Sequence, residues 1–307
     1  MKVTITSDLH IDFWINPNDG AKKQEKLMHK LVQNLMPEEI GEVIVVAGDI
    51  GHYNTQNALM FKVLRQYFKH VLWVFGNHDL YMISGKIEKK FNKNSFNRLD
   101  DMIEQASKID GVHYLNGTIF ELDGVKIGGT GLWYDYGYAH KVWGKPLNQG
   151  MLEWTYIMND ANLIRVPNES GTPSYLDFNI FCNKEKAKLD LIIQDIDMIV
   201  THVSPNWSRI PQKFNTPDST FWYFDGAELL AKTNPKQIWV HGHTHDKMFY
   251  DTPDQCTIIC NPLGYPPRQV DITSPKIKEN AFLTVDVGNI PTYEQIFEGV
   301  DNEQAGN

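Results

Sequence analysis

Short apolar runs that stop abruptly at metal-ligand residue types constrain this chain more than any other feature. Val71 to Phe75 is one such run, and it breaks at Gly76-Asn77-His78-Asp79. A strand buried on both faces reads as a continuous apolar run, and open α/β sheets place ligands beyond the carboxyl ends of their strands. The same arrangement recurs upstream. Lys2 to Ser7 alternates and is rich in β-branched residues, as strands are, and it ends in Asp8-Leu9-His10; Val43 to Ala47 ends in Gly48-Asp49-Ile50-Gly51. Between these strands lie helical spacings, Leu27, Leu31, Val32 and Leu35 before Pro37, and then Thr55 to Phe68. Strand, helix, strand, helix, strand is the rhythm of parallel neighbours joined by crossovers. Asp8, His10, Asp49, Asn77 and His78 are therefore expected along one sheet edge.

Further along, Lys86 to Lys93 reads as a solvated helix face, Phe96 to Ile109 as a helix and His113 to Leu115 as a short strand. Thr118 to Leu122 and Val125 to Gly129 flank Asp123-Gly124, a hairpin signal. Antiparallel pairing there argues against a simple Rossmann sheet. From about residue 133 to 181 the periodicity fades and aromatic residues gather, Tyr136, Trp143 and Trp154 among them. A segment this long without clear elements is usually functional or disordered. Its aromatic content argues for order, and it is expected to roof the site, although simple packing explains any single ring more readily.

Regular patterns return with a helix at Lys184 to Gln194, a strand at Asp197 to Thr201 ending in His202, and a helix at Asp225 to Ala231. A strand at Gln237 to Val240 ends in His241-Gly242-His243-Thr244-His245. A hairpin of Met248 to Asp251 with Thr257 to Asn261 and a strand at Phe282 to Val287 follow. One domain over residues 1–297 and a frayed polar tail at 298–307 are expected.

Composition narrows the partners. With 307 residues, 42% hydrophobic and 22% charged, the chain has ample material for a core. A net charge of -9 argues against long duplex nucleic acid or an anionic membrane. A small anionic ligand stays open if metal ions supply positive charge. Cys182, Cys256 and Cys260 are too few for a disulfide framework, which points to a reducing compartment. The N-terminus carries no signal-peptide core, and no apolar run approaches the ~18 residues of a spanning helix. The expected location is cytoplasmic.

The strand ends together supply Asp8, His10, Asp49, Asn77, His202, His243 and His245. Imidazole, carboxylate and amide oxygen are the mixed donors that divalent transition metals accept. Seven of them overfill one tetrahedral zinc, and a carboxylate can bridge a pair of ions. Through D-x-H at 8–10, G-D at 48–49, G-N-H-D at 76–79, the lone His202 and G-H-T-H at 242–245, the chain resembles the calcineurin-like metallophosphoesterase superfamily. Met158-Asn159-Asp160 and Asn261-Pro262-Leu263-Gly264-Tyr265 resemble its bacterial and phage branch. The resemblance implies an α/β fold, layered α+β, in which a β-sandwich of two mixed sheets is flanked by helices. It also implies two divalent metal ions, with Asp8, His10 and His245 on the first, Asn77, His202 and His243 on the second, and Asp49 bridging. Manganese comes first among manganese, iron, zinc, nickel and cobalt.

By the same resemblance the reaction is phosphate-ester hydrolysis by a metal-activated hydroxide, and His78 gives the leaving group a proton or stabilises the pentacoordinate state. The competing role for His78 is a supporting hydrogen bond. One departure stands out. The protein-phosphatase branch continues G-D to a further acid and an arginine, whereas here the chain reads Gly48-Asp49-Ile50-Gly51-His52-Tyr53. His52 stands in the place of the acid, as a group that faces substrate, pairs with His78 or is merely structural. Asp79 is a candidate to orient His78 or to hold a neighbouring loop. Arg268 and Tyr136, with Arg165, Lys145 and Trp143 behind them, are weaker candidates for gripping or stacking on substrate. A small phosphorylated substrate, a nucleotide-type diester ahead of a monoester, is the expected reading. A phosphomonoesterase or protein phosphatase, a repair-type nuclease and a non-catalytic metal-binding scaffold are the alternatives.

Overall fold

The computed structural model describes residues 1–253, 256–267, 272 and 281–289. In chain order the first strands and helices are β1 (Lys2–Thr6), α1 (Ile11–Trp14), α2 (Ala21–Leu35), β2 (Val43–Ala47), α3 (Asn54–Leu64) and β3 (His70–Val74). Next come α4 (Gly85–Lys90), α5 (Ser95–Ser107), β4 (Val112–Tyr114), β5 (Thr118–Leu122) and β6 (Val125–Gly129). The middle holds α6 (Gly137–Trp143), α7 (Gly150–Ile157), α8 (Asp160–Leu163), the two-residue strands β7 (Val166–Pro167) and β8 (Pro173–Ser174), and α9 (Phe178–Asp190). The remainder is β9 (Met198–Val200), α10 (Ala227–Leu230), β10 (Ile238–His241), β11 (Met248–Asp251), β12 (Thr257–Cys260) and β13 (Leu283–Asp286).

Two mixed sheets form, in the orders β13-β1-β2-β3-β4 and β11-β12-β10-β9-β6-β5. In the first, β1 to β4 are parallel and β13 closes the edge antiparallel to β1. In the second, β12, β10, β9 and β6 are parallel, and the expected hairpin of β5 with β6 and that of β11 with β12 add antiparallel edges. The strand period of two splits each buried strand between two cores. Val43, Val45 and Ala47 meet Met198, Val200, Ile238 and Val240 between the sheets, whereas Ile44 and Val46 face outward to a helix-covered core. Each fully buried aliphatic side chain is worth roughly 1.5–3 kcal/mol, which is why runs with no polar break lie at the centre.

The segment at 133–181 is built differently from the expectation. It contains three short helices and the start of α9. That last helix begins six residues before the expected Lys184, because the Asp177 side chain accepts from Ile180 N at 3.0 Å and caps it. Trp133, Tyr134, Tyr136 and Trp154 are buried in the larger core. Among the described residues no helix is long and apolar enough to cross a membrane. All three cysteines are buried, Cys182 and Cys260 as free thiols. The tail at 298–307 lies outside the described residues.

Candidate metal centre

The carboxyl ends of β1, β2 and β3 meet those of β9 and β10 where the two sheets adjoin. Backbone bonds tie these loops together: Asp8 N donates to Gly48 O, His10 N to Asp49 O and Gly242 N to His202 O. Asp8, His10, Asp49, His243 and His245 all adopt positive φ, between 42° and 67°. For side-chain-bearing residues this left-handed region is costly and persists where the surroundings over-determine it, often at functional sites. Here the strain turns one donor after another toward a single point.

Two groups result. Asp8, His10, Asp49 and His245 offer ligand atoms that all lie within 4.8 Å of one another. His10 Nε2 and His245 Nε2 are 3.0 Å apart, and His245 Nε2 is 3.3 Å from Asp8 Oδ1. In the second group, Asn77 Oδ1 lies 3.1 Å from both His202 Nε2 and His243 Nδ1. Asp49 Oδ2 faces both groups, 3.7 Å from His10 Nε2 and 3.4 Å from His202 Nε2.

The donor chemistry fits cations. Burial drives His243 down to about 4, so it is neutral at pH 7. Its Nε2 sits 3.0 Å from Phe221 O and donates there, leaving Nδ1 as a lone pair. Asn77 donates both its amide protons, to Tyr81 Oη and Asp160 Oδ1, each at 3.0 Å. Its Oδ1 therefore offers a second lone pair 3.1 Å from the first. Two acceptors at that distance are repulsive unless a cation lies between them. Backbone and carboxylate partners behind metal-binding groups fix their orientation in this way, and Ala47 O does the same for His202 Nδ1 at 2.9 Å.

The charges of these side chains follow from crowding. Burial opposes ionisation of Asp49, but His202, His78 and His10 outweigh it and hold the carboxylate well below its ordinary range. Burial likewise opposes charge on His202, yet Asp49 and then Asp8 raise it to about 9.

His78 lies at the rim, with Nε2 3.2 Å from Tyr265 Oη and 4.0 Å from Asp49 Oδ2. Its Nδ1 is 2.8 Å from His52 Nε2, and His52 Nδ1 is 2.7 Å from Asp12 Oδ2. Of the readings open for His52, the geometry supports pairing with His78, and the ring also lines the cavity beside the centre. Asp12, on α1, carried no motif. Asp79 does not reach the His78 ring. Its carboxylate accepts from the backbone of Gly76, Asp49, Ile50 and Gly51 at 2.8 to 3.3 Å and so ties the neighbouring loop. Burial and the nearby Asp49 charge push it up to about 7.

The substrate candidates fare differently. Tyr136 is 1% exposed and donates to Glu153, which removes it as a stacking surface. Lys145 pairs with the same Glu153 at 2.9 Å, and Arg165 donates to the carbonyls of Ala161 and Ile164. Trp143 is exposed but lines neither cavity beside the site. Arg268 lies outside the described residues. The aromatic segment instead works from behind. Asp160, which orients Asn77, accepts from Tyr81 and from Tyr134 Oη, the latter at 2.5 Å, and Trp154 Nε1 donates to Tyr134 Oη at 2.6 Å.

Two adjoining cavities of about 410 and 310 Å³ open over the centre. Phe13, His52, Leu163 and Pro266 line the first, Ile157, Met158 and Trp222 are on the wall of the second, and both share His78, Tyr81, Asn159 and Tyr265. Thus residues 157–159 do contribute to the wall, in part as expected.

None of the curated proteins matches the chain. Among solved structures its fold is similar to that of phosphopantetheinyl hydrolase from Mycobacterium tuberculosis, with a TM-score of 0.66 and 18% identity over 95% of this chain and 98% of that one. A dimetal phosphatase from Danio rerio aligns with a TM-score of 0.47 and 12% identity, over 94% of this chain and 92% of that one. The family model for calcineurin-like phosphoesterases matches residues 1–247, a span that holds every donor described above, and the chain belongs to that family.

Proposed function

We propose that this chain holds two divalent cations and hydrolyses a phosphate ester, a nucleotide-type diester ahead of a monoester. The observation that carries the reading is the pair of donor groups sharing Asp49. Asp8, His10 and His245 would hold one ion and Asn77, His202 and His243 the other, with manganese our choice among metals that accept mixed nitrogen and oxygen donors. When bound, such a pair acidifies water and offsets charge on phosphate oxygens.

The chain supplies the rest. His78 presents Nε2 at the cavity, in a position to hydrogen-bond or protonate a leaving oxygen. Among the described lining residues there is no lysine or arginine. A diester carries one negative charge and a monoester up to two, so a wall without cations favours the diester. Phe13 and Tyr265, both partly exposed, give a flat or apolar leaving group a surface to lie on. The phosphopantetheinyl hydrolase of similar fold acts, by its name, on a small phosphorylated group, and cavities of this size suit one.

Chelated protein refilled separately with manganese, zinc, nickel and magnesium tests the reading on a bis-aryl phosphodiester beside the matching monoester. Faster diester turnover is expected. Preference for the monoester would overturn the diester choice, and no turnover with any metal would overturn the hydrolase.

A further inference from the structure

Asp12 lies in the short helix after the D-x-H motif, nine-tenths buried, with both carboxylate oxygens turned to His52. Oδ1 accepts from His52 N at 3.1 Å, and Oδ2 lies 2.7 Å from His52 Nδ1. A carboxylate only accepts, so His52 Nδ1 carries a proton. On its far side His52 Nε2 meets His78 Nδ1 at 2.8 Å, and one proton fits between two ring nitrogens at that distance. His78 Nε2 then faces the cavity beside Tyr265 Oη.

Two proton arrangements satisfy every contact. In one, His78 donates through Nδ1 to a neutral His52, and His78 Nε2 is an acceptor. In the other, with one proton more, His52 donates through Nε2 to His78 Nδ1, and His78 Nε2 carries a proton toward the cavity. The positive charge of the second arrangement sits on His52 against the Asp12 carboxylate, one ring removed from the metal centre. Charge on His78 itself would sit closer to the cations.

We propose that Asp12 and His52 are positioning residues forming a two-imidazole relay that arms His78 and takes the place of the missing acid; the proposal rests on His78 facing the leaving oxygen. As the ester bond breaks, the His78 Nε2–H bond breaks and the leaving oxygen gains that proton. His78 Nδ1 takes the proton from His52 Nε2, and His52 becomes neutral while still bonded to Asp12 through Nδ1–H. Solvent restores the proton lost. The structure thereby assigns a role to a residue, Asp12, that none of the sequence motifs contains.

Long-range proton–nitrogen NMR of the histidine rings in the full-length metal-free protein gives the first readout. A protonated His52 Nδ1, with a downfield proton lost in Asp12→Ala, is expected. An unprotonated His52 Nδ1 in the wild type would overturn the relay whatever the protein hydrolyses. The second readout is a series of diesters with progressively more basic leaving groups, in metal-loaded Asp12→Asn, His52→Phe and His78→Ala. Alkyl esters should slow by ~100-fold and nitrophenyl esters by less than ~3-fold, as loss of an acid catalyst requires, with metal content unchanged. Equal slowing across the series in Asp12→Asn and His52→Phe would make both residues merely structural and sink the proposal. A wild type inactive toward every ester would instead refute the functional reading, and the relay would stand or fall on the NMR result.

Discussion

Asn in place of Asp160 tests whether the aromatic segment holds the second donor group in shape. Asp160 is fully buried, accepting from Asn77 Nδ2 at 3.0 Å and Tyr81 Oη on one oxygen and from Tyr134 Oη at 2.5 Å on the other. Asn keeps the outline but offers one acceptor oxygen. If that oxygen stays with Asn77 and Tyr81, the new NH2 points at Tyr134, whose hydroxyl proton loses its acceptor. If it turns the other way, two NH2 groups meet and Asn77 must rotate. Either way a buried donor goes unmatched or a bond to a charged group is lost, at about 1.5–3 kcal/mol. Rotation of Asn77 also weakens one ion, by the ~10–100-fold typical of lost supporting contacts behind a ligand. Tyr134→Phe serves as the control, because it removes the bond on the far oxygen and leaves Asn77 held; stability should fall by about 1–2 kcal/mol without a change in metal affinity. Urea unfolding of metal-free protein and metal titration of the same samples provide both numbers. Wild-type affinity for both ions in Asp160→Leu, which leaves Asn77 no acceptor in either orientation, would refute the claim that this network aims Asn77.

Three other outcomes are expected. Gly76→Ala would place a Cβ 2.2 Å from Asp49 Oδ1 and 2.6 Å from Asp49 N, so metal retention after dialysis should collapse although the added group is one methyl. Metal uptake should release protons below about pH 9, the value to which His202 is raised. The charged His202 stabilises the metal-free fold below its unfolded value of ~6.5, and that contribution is lost as pH rises through about 9. Calorimetry in buffers of different ionisation heat counts the protons, and no buffer dependence at pH 7 would contradict this. Finally, Phe13→Ala should raise KM for a nucleotide diester but leave KM for a small methyl aryl diester unchanged; equal effects would remove Phe13 as a stacking surface.

Much of the architecture was legible because buried parallel strands announce themselves. β2 matches its apolar run residue for residue, and the hairpin of β5 and β6 follows from Asp123-Gly124. The donors were legible for a related reason: a polar residue directly after a wholly buried strand has few roles other than the site. Sequence reasoning failed where position comes from tertiary contact. Asp12 follows His10 by one helical half-turn and carries no pattern, yet His52 standing in place of an acid was a signal that another carboxylate had to be near. Tyr136 was misplaced because aromatic excess without periodicity suggests a lid. In fact helices of four to eight residues break the periodicity while burying most of the rings in the core. Asp160 and Tyr134 act through Asn77 across long sequence separations that no local spacing encodes.

Metal content and diester turnover, measured on the same samples of wild type, Asp49→Asn and His78→Ala after chelation and refilling, test the central claim most directly. The account requires two ions and turnover in the wild type, loss of both in Asp49→Asn, and two retained ions with little turnover of a diester with a basic alkyl leaving group in His78→Ala. A fully active wild type holding a single ion, or an Asp49→Asn protein that keeps both ions and its activity, would contradict it.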